Sequence, residues 1–277
     1  MTCHGWTLEG LMETNATASY YSTVVPWYDA ELADRGDVPC WLALMQAWKP
    51  RRTLEYGCGT GRVAIPLACQ CAAWEGVVEG IDLSPEMLRL GAQRWRQERG
   101  SVPAGALRLY QGDMCRTAVS HRVDMVLFAD DPLTHLDSDA DLAATFRLTG
   151  EQLRPGGHLV VEASLLPPEC RGYSHTVVLR SHHSIGVGDA AIEVEQERHI
   201  NPARRCAVVT YRYRSRCGGE QHGPWQEARF LAHYLDAAHI VSLFSLAGCR
   251  VEERWADFQF HPLTSDSGTA LYVGTRR

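Results

Sequence analysis

Glu55, Gly57, Gly59 and Gly61 stand at two-residue intervals where an apolar stretch ending near Leu54 gives way to an amphipathic one (Val63, Ile65, Leu67, Ala68). A strand passing through a glycine turn into a helix N-terminus exposes bare backbone, against which a nucleotide-like cofactor can lie. A dinucleotide fingerprint would need glycine at the sixth position counted from Gly57. That position is Arg62, and the third glycine, Gly61, comes one residue early. Glu55 before the turn suits a cationic ligand better than a pyrophosphate. Cys58 within the turn is small enough for such a site and need not be reactive.

Two more carboxylates fall at the ends of predicted strands. Asp82, 21 residues beyond Gly61, could accept hydrogen bonds from ribose hydroxyls; Asp113 could accept from an exocyclic adenine amine. Asp130, Asp131 and His135 follow a fourth predicted strand. A histidine there could take a proton from a nucleophile, and a carboxylate could hold a cationic amine. The alternatives are a helix-capping or orienting role for His135 and a solvated Asp-Pro turn for the aspartates. His182-His183 lies in a predicted strand, whose neighbouring side chains face opposite ways and cannot chelate one ion together, so no metal site is expected. Tyr211 and Tyr213 alternate with arginines and could line a pocket for an anionic or aromatic substrate, or form an ordinary packed face. Tyr20 and Tyr21 could close over a cofactor or belong to a mobile arm.

Regular alternation of strand and helix must position these groups. Strands are predicted at Thr53 to Tyr56, Val77 to Ile81, Leu107 to Tyr110, Val123 to Phe128 and His158 to Ala163. Helices are predicted after Asp37-Val38-Pro39 and Ser84-Pro85-Glu86, and along Leu142, Phe146, Thr149 and Leu153. This is the rhythm of a doubly wound, Rossmann-like parallel sheet. It breaks at His175 to Arg180, Ala191 to His199 and Cys206 to Arg216, where alternation predicts antiparallel β-structure. Helix and strand then resume, and the last two strands, with only a loop between them, should be antiparallel neighbours. The expected organisation is α/β: a helical N-terminal cap (1–50), a core (51–168), an antiparallel β insert (169–225) and the completion of a mostly parallel seven-stranded sheet (226–277).

A net charge of −6 without a basic tract argues against nucleic acid and anionic membrane as partners. No apolar run reaches the length of a membrane span and no signal peptide opens the chain. Ten scattered cysteines read as reduced, mostly buried thiols, and the expected location is the cytoplasm.

The pattern E-x-G-x-G-x-G resembles the first motif of the class I S-adenosylmethionine (SAM) methyltransferases. Gly80-Ile81-Asp82-Leu83-Ser84 with Pro85-Glu86-Met87-Leu88, Gln111-Gly112-Asp113-Met114 and Leu153-Arg154-Pro155-Gly156-Gly157 resemble the later ones. The resemblance implies SAM as cofactor, with Glu55, Gly57, Cys58, Gly59 and Gly61 around its methionine part and Asp82 on its ribose. Leu83, Met87, Asp113 and Met114 would frame the adenine. Tyr28-Asp29 resembles the Tyr-Asp pair that begins the family's lid, with Tyr21 and Tyr28 toward the cofactor. A narrower likeness is to amino-sugar N,N-dimethyltransferases of natural-product pathways, in which a segment after the fourth strand ends in a histidine near the transferring methyl. Here it runs from Phe128, which would also touch the cofactor, to His135. Asp130, Asp131 and Pro132 replace the usual small polar residues, and Leu32 replaces a second tyrosine. The β insert of that group covers the substrate and often builds an oligomer contact, so a homodimer is allowed. The implied function is methyl transfer to a small molecule, with an amine nitrogen favoured as acceptor. An oxygen acceptor, or a SAM-binding enzyme that cyclises or rearranges without methylating, stays open.

Overall fold

The computed structural model describes residues 20–21, 23–25, 27–33, 35–136, 138–187, 190–217 and 221–277. Residues 1–19, 22, 26 and 34 of the expected N-terminal cap lie outside them. The elements in chain order are α1 (Tyr28–Glu31), α2 (Val38–Trp48), β1 (Arg52–Tyr56), α3 (Ala64–Cys71), β2 (Val77–Asp82), α4 (Pro85–Glu98), β3 (Leu107–Gln111) and β4 (Val123–Phe128). They continue with α5 (Asp139–Gln152), β5 (Leu153–Ser164), β6 (Val177–Val187), β7 (Ala190–Asn201), β8 (Cys206–Cys217), β9 (Gln221–His222), β10 (Gln226–His233), α6 (Ala237–Leu246), β11 (Cys249–Trp255) and β12 (Thr269–Arg276). No helix among the described residues is long and apolar enough to cross a membrane.

Two compact units result. The larger contains 35–168 and 234–277; the smaller contains 169–233 with the described residues before 35. The larger unit is a seven-stranded sheet of order β11-β12-β5-β4-β1-β2-β3. Strands β1 to β5 pair in parallel, while β12 runs antiparallel to both β5 and β11. This is the mostly parallel sheet with an antiparallel last strand read from the sequence. The order reverses between β1 and β4, which is where ligands bind in open α/β sheets.

Both faces of the sheet are covered, which explains the nearly continuous apolar run of β4. Val126 and Phe128 join Leu142 and Phe146 of α5 and Leu243 and Phe244 of α6 on one face. Met125 and Leu127 join Trp41 and Met45 of α2 and Ile65 and Leu67 of α3 on the other. The Ser84 cap read from the sequence forms, its hydroxyl accepting from the Met87 amide at 3.3 Å, and Ser138, which the sequence reading did not single out, caps α5 by accepting from the Asp141 amide at 3.1 Å. Asp37 is the exception. It precedes α2 but makes no side-chain cap bond, because buried basic and indole groups claim its carboxylate.

The smaller unit carries an antiparallel sheet of order β10-β8-β7-β6, with β9 paired to β8. Strand β10 pairs with β8 from Gln226↔Tyr213 to His233↔Cys206. The insert therefore runs to residue 233 and not to 225. Adjacent apolar residues Phe230 and Leu231 mask the alternation that would have marked this strand. Residues 35–50 likewise group with the core and not with an N-terminal cap, since α2 packs on α3.

Candidate active site

The glycine turn is built as its spacing suggests. Gly57, Gly59 and Gly61 have φ of 70°, 53° and 75°, a left-handed region that side chains other than glycine adopt at a cost. The Gly57 and Cys58 amides donate to the Ile81 carbonyl at 2.8 and 3.2 Å, tying the turn to the end of β2. Asp82 secures it from the other side. One carboxylate oxygen accepts from the Gly59 amide at 2.7 Å, the other from the Ser84 amide at 2.8 Å. Each oxygen keeps a second lone pair, so a hydroxyl donor can still be received. Burial raises the Asp82 pKa, and the backbone donors oppose it.

Glu55 lies 2% exposed beneath the turn. Its Oε2 is buried and has no hydrogen-bond partner among the described residues. Burial pushes its pKa up to about 8, against the pull of Arg62. A desolvated carboxylate oxygen without a donor is costly unless something cationic or hydrogen-bonding completes it. Cys58 is also buried, its thiol pushed well up by burial and by the Asp82 and Glu55 charges, so it is inert filling.

The other expected cofactor residues separate into two kinds. Leu83, 45% exposed at the end of β2, offers an apolar platform. Asp113 ends up folded on its own turn: its carboxylate accepts from the Cys115 amide at 2.8 Å and pairs with Arg116 at 3.2 Å. Met114 is partly buried against the core. Met87 and Phe128 are fully buried, Phe128 between Tyr56 and Phe146 at ring separations of 5.4 and 5.8 Å. Their side chains serve the core, because Met87 lies on the sheet-facing side of α4 and β4 is covered on both faces. Tyr21 and Tyr28 belong to the smaller unit, with ring centroids 6.3 Å apart.

After β4 the chain turns sharply. Asp130 and Asp131 take left-handed φ of 63° and 47° and lead into a single 3-10 turn, Pro132–His135. Asp131 is buried, and its carboxylate accepts from the Ser164 amide at 2.9 Å, joining the ends of β4 and β5; burial pushes its pKa up to about 7. Asp130 forms an ion pair with Arg35, and its amide donates to Glu162 at 2.8 Å. Both aspartates thus hold the turn in place. His135 closes it, with Leu133 and Leu136 anchored in the core on either side. Burial pushes the His135 pKa down to about 4, which keeps its imidazole neutral at pH 7.

A buried polar cluster under this region had no motif to announce it. Arg62 grips Asp37 through two bonds of 2.5 and 2.8 Å, and the Trp41 indole donates to the same carboxylate at 3.1 Å. Arg35 reaches Asp130, Glu162 and Asp37. Glu162 is 1% exposed, and burial raises its pKa against the Arg35 charge. The available signal was one acidic residue inside the apolar run of β5. Among the described residues no group of three or more metal-ligating side chains could hold an ion.

Residues 53–157 match the family described as Methyltransferase domain. The sheet order and the glycine turn agree with that match, which runs from β1 to the start of β5. Among solved structures, the fold is similar to the CcbJ methyltransferase from Streptomyces caelestis, with a TM-score of 0.71 and 22% identity over 94% of this chain and 98% of that one. It is also similar to CalS10, an amino pentose methyltransferase from Micromonospora echinaspora solved with SAM bound (TM-score 0.67, 21% identity, 90% and 96% covered). YqeM of Bacillus subtilis (strain 168), assigned as a methyltransferase, is 32% identical over 142 residues, 51% of this chain and 48% of its own. The chain spans about half the length of the curated relatives it matches.

Proposed function

We propose that the protein is a SAM-dependent methyltransferase acting on a small molecule, with an amine nitrogen as acceptor. One observation carries the cofactor reading: the buried, uncompleted Oε2 of Glu55 beneath three left-handed glycines. Such a site suits a cation lying along bare backbone, and SAM brings an ammonium and a sulfonium on a nucleoside. Glu55 would take the ammonium, Asp82 the ribose hydroxyls and Leu83 one face of the adenine. The bound cofactor supplies an electrophilic methyl; the chain must present a nucleophile with a free lone pair, in line and away from water.

His135 is the proposed proton acceptor, and its environment favours nitrogen over an alcohol. An alkylammonium of pKa about 8–10 lies some 4–6 units above an imidazole at about 4, an uphill transfer of ~5–8 kcal/mol. An alcohol, near the value of water at about 16, would need ~16 kcal/mol. Names of similar proteins agree with a small-molecule acceptor: an amino pentose for CalS10, a sugar nitrogen for KedS8. The deciding experiment incubates the full chain and SAM with panels of amines, phenols and alcohols, reading methylated product and S-adenosylhomocysteine by mass spectrometry. Methylation of amines, with none of the aliphatic alcohols, is expected. Methylated oxygen alone would overturn the nitrogen assignment, and SAM bound without S-adenosylhomocysteine release would overturn methyl transfer.

A further inference from the structure

The smaller unit contains a carboxylate set among aromatic rings. Glu31, the last residue of α1, is partly exposed and accepts a hydrogen bond from the Tyr213 hydroxyl at 2.8 Å. Among the described residues no arginine or lysine forms a salt bridge with it, although Glu193, Glu195, Glu197 and Glu227 of this unit all have arginine partners. Burial raises the Glu31 pKa, and only Tyr213 and the more distant His183 oppose that shift. Around it, Trp27 stacks on Tyr213 at 5.0 Å with planes 19° apart, and the Tyr211 and Tyr213 rings lie 5.8 Å apart at 9°. Tyr213 is fully buried, so it fixes the position of Glu31 through its hydroxyl and is not itself open to a ligand.

Sheet register explains why these rings stand together and why no arginine reaches them. Tyr213 pairs with Val194 and Tyr211 with Gln196 across β7, all on one face. The intervening arginines point the other way and are already engaged. Arg214 binds Glu193 at 2.5 Å, and Arg212 binds Glu227 at 2.8 Å and Glu195 at 3.8 Å. The face with the tyrosines is therefore no anion pocket, contrary to one expectation from the alternation. It is electron-rich and carries Glu31, which among the described residues pairs with no arginine or lysine.

We propose that Glu31, Trp27 and Tyr211, held in place by the buried Tyr213, form a recognition site for a small organic ammonium ion. Aromatic faces attract such cations through the ring quadrupole, and a carboxylate beside them adds direct charge pairing. Methylated ammonium groups suit the arrangement best, since they shed water more readily than a primary ammonium. In naming an amine as the ligand class the proposal rests on the nitrogen-acceptor reading; the binding itself requires neither cofactor nor turnover.

Choline and its neutral isostere 3,3-dimethylbutan-1-ol test it on the full chain by calorimetry and saturation-transfer NMR. Choline should bind at least about tenfold more tightly than the alcohol. Glu31→Gln, which keeps an acceptor for Tyr213, and Trp27→Leu should each weaken choline about tenfold or more, the first without changing the melting temperature. Glu55→Gln should leave choline affinity intact, separating this site from the glycine turn. Equal binding of choline and the alcohol, or choline affinity within twofold of wild type in Glu31→Gln, would overturn the proposal. Failure to find any methylated product would leave the choline result standing and would count against the enzyme assignment alone.

Discussion

A Cβ built on Gly57 would fall 2.5 Å from the Cβ of Pro132. The first glycine of the turn and the first residue of the His135 turn are thus in direct backbone-to-ring contact. Glycine at 57 is needed twice over, for its φ of 70° and for the space Pro132 occupies. Gly57→Ala should therefore disturb both turns. The expected loss is about 1–3 kcal/mol of stability from the strained φ, and more than tenfold in SAM affinity. Denaturant unfolding and calorimetry measure the two losses separately.

Glu55 should make stability fall as pH rises in the cofactor-free protein. Its carboxyl binds a proton more tightly folded, at about 8, than at its ordinary 4.5. The stability it contributes is complete below pH 4.5 and is lost progressively as pH climbs toward 8. Glu55→Gln should thus raise the melting temperature at pH 8, leave it nearly unchanged at pH 4.5, and abolish SAM binding. A lower melting temperature for the variant at pH 8 would contradict the burial argument.

His135→Ala should lower kcat by roughly 100-fold or more while SAM affinity changes little. With its pKa near 4, the acid limb of kcat/KM attributable to His135 should appear near pH 4–5 and not near 6.5. A pH profile with a break at 6.5 that survives the substitution would assign the proton transfer elsewhere.

Arg35→Met should be among the most damaging changes outside the glycine turn. It strands Glu162 and Asp130, one of them almost fully buried, without their shared cation. Removing one partner of such a buried group costs about 3–5 kcal/mol. Arg35→Met/Glu162→Leu should recover much of that loss, which urea titration of the two variants would show.

The smaller unit should be removable. Leu165 and Leu235 are bridge partners, and the Leu235 amide donates to the Ser164 carbonyl at 3.2 Å. A chain starting at residue 35, with 169–233 replaced by a short glycine linker, should keep the sheet and bind SAM. It should lose choline binding and substrate turnover. Circular dichroism and calorimetry report the first pair, mass spectrometry and NMR the second.

Local rules made much of this core legible. Val126 and Phe128 on one face with Met125 and Leu127 on the other make β4 an uninterrupted apolar run, and such a run can be read without neighbours. The glycines, with Asp82 at the next strand end, have fixed spacing for the same reason: backbone geometry demands them. Asp37 was legible only as a cap, since its real partners, Arg62 and Trp41, depend on how α2 lies on the turn. Glu162 and Arg35 are 127 positions apart, and nothing local announces a pair formed by tertiary packing. Asp130 and Asp131 read as site residues because acids after a strand can face ligand or backbone. Here Ser164 and Arg35 take them.

The adjacency of Leu165 and Leu235 also bears on how the chain reaches its fold. Strand β5 cannot meet β12 until the stretch between them has closed into a loop, and the entropy of that closure grows with its length. Hairpins β6–β7 and β7–β8 pair sequence neighbours, so they can form early and draw the two ends together. Slowing those hairpins, for example with glycine substitutions in β7, should delay completion of a sheet to which β7 contributes no strand.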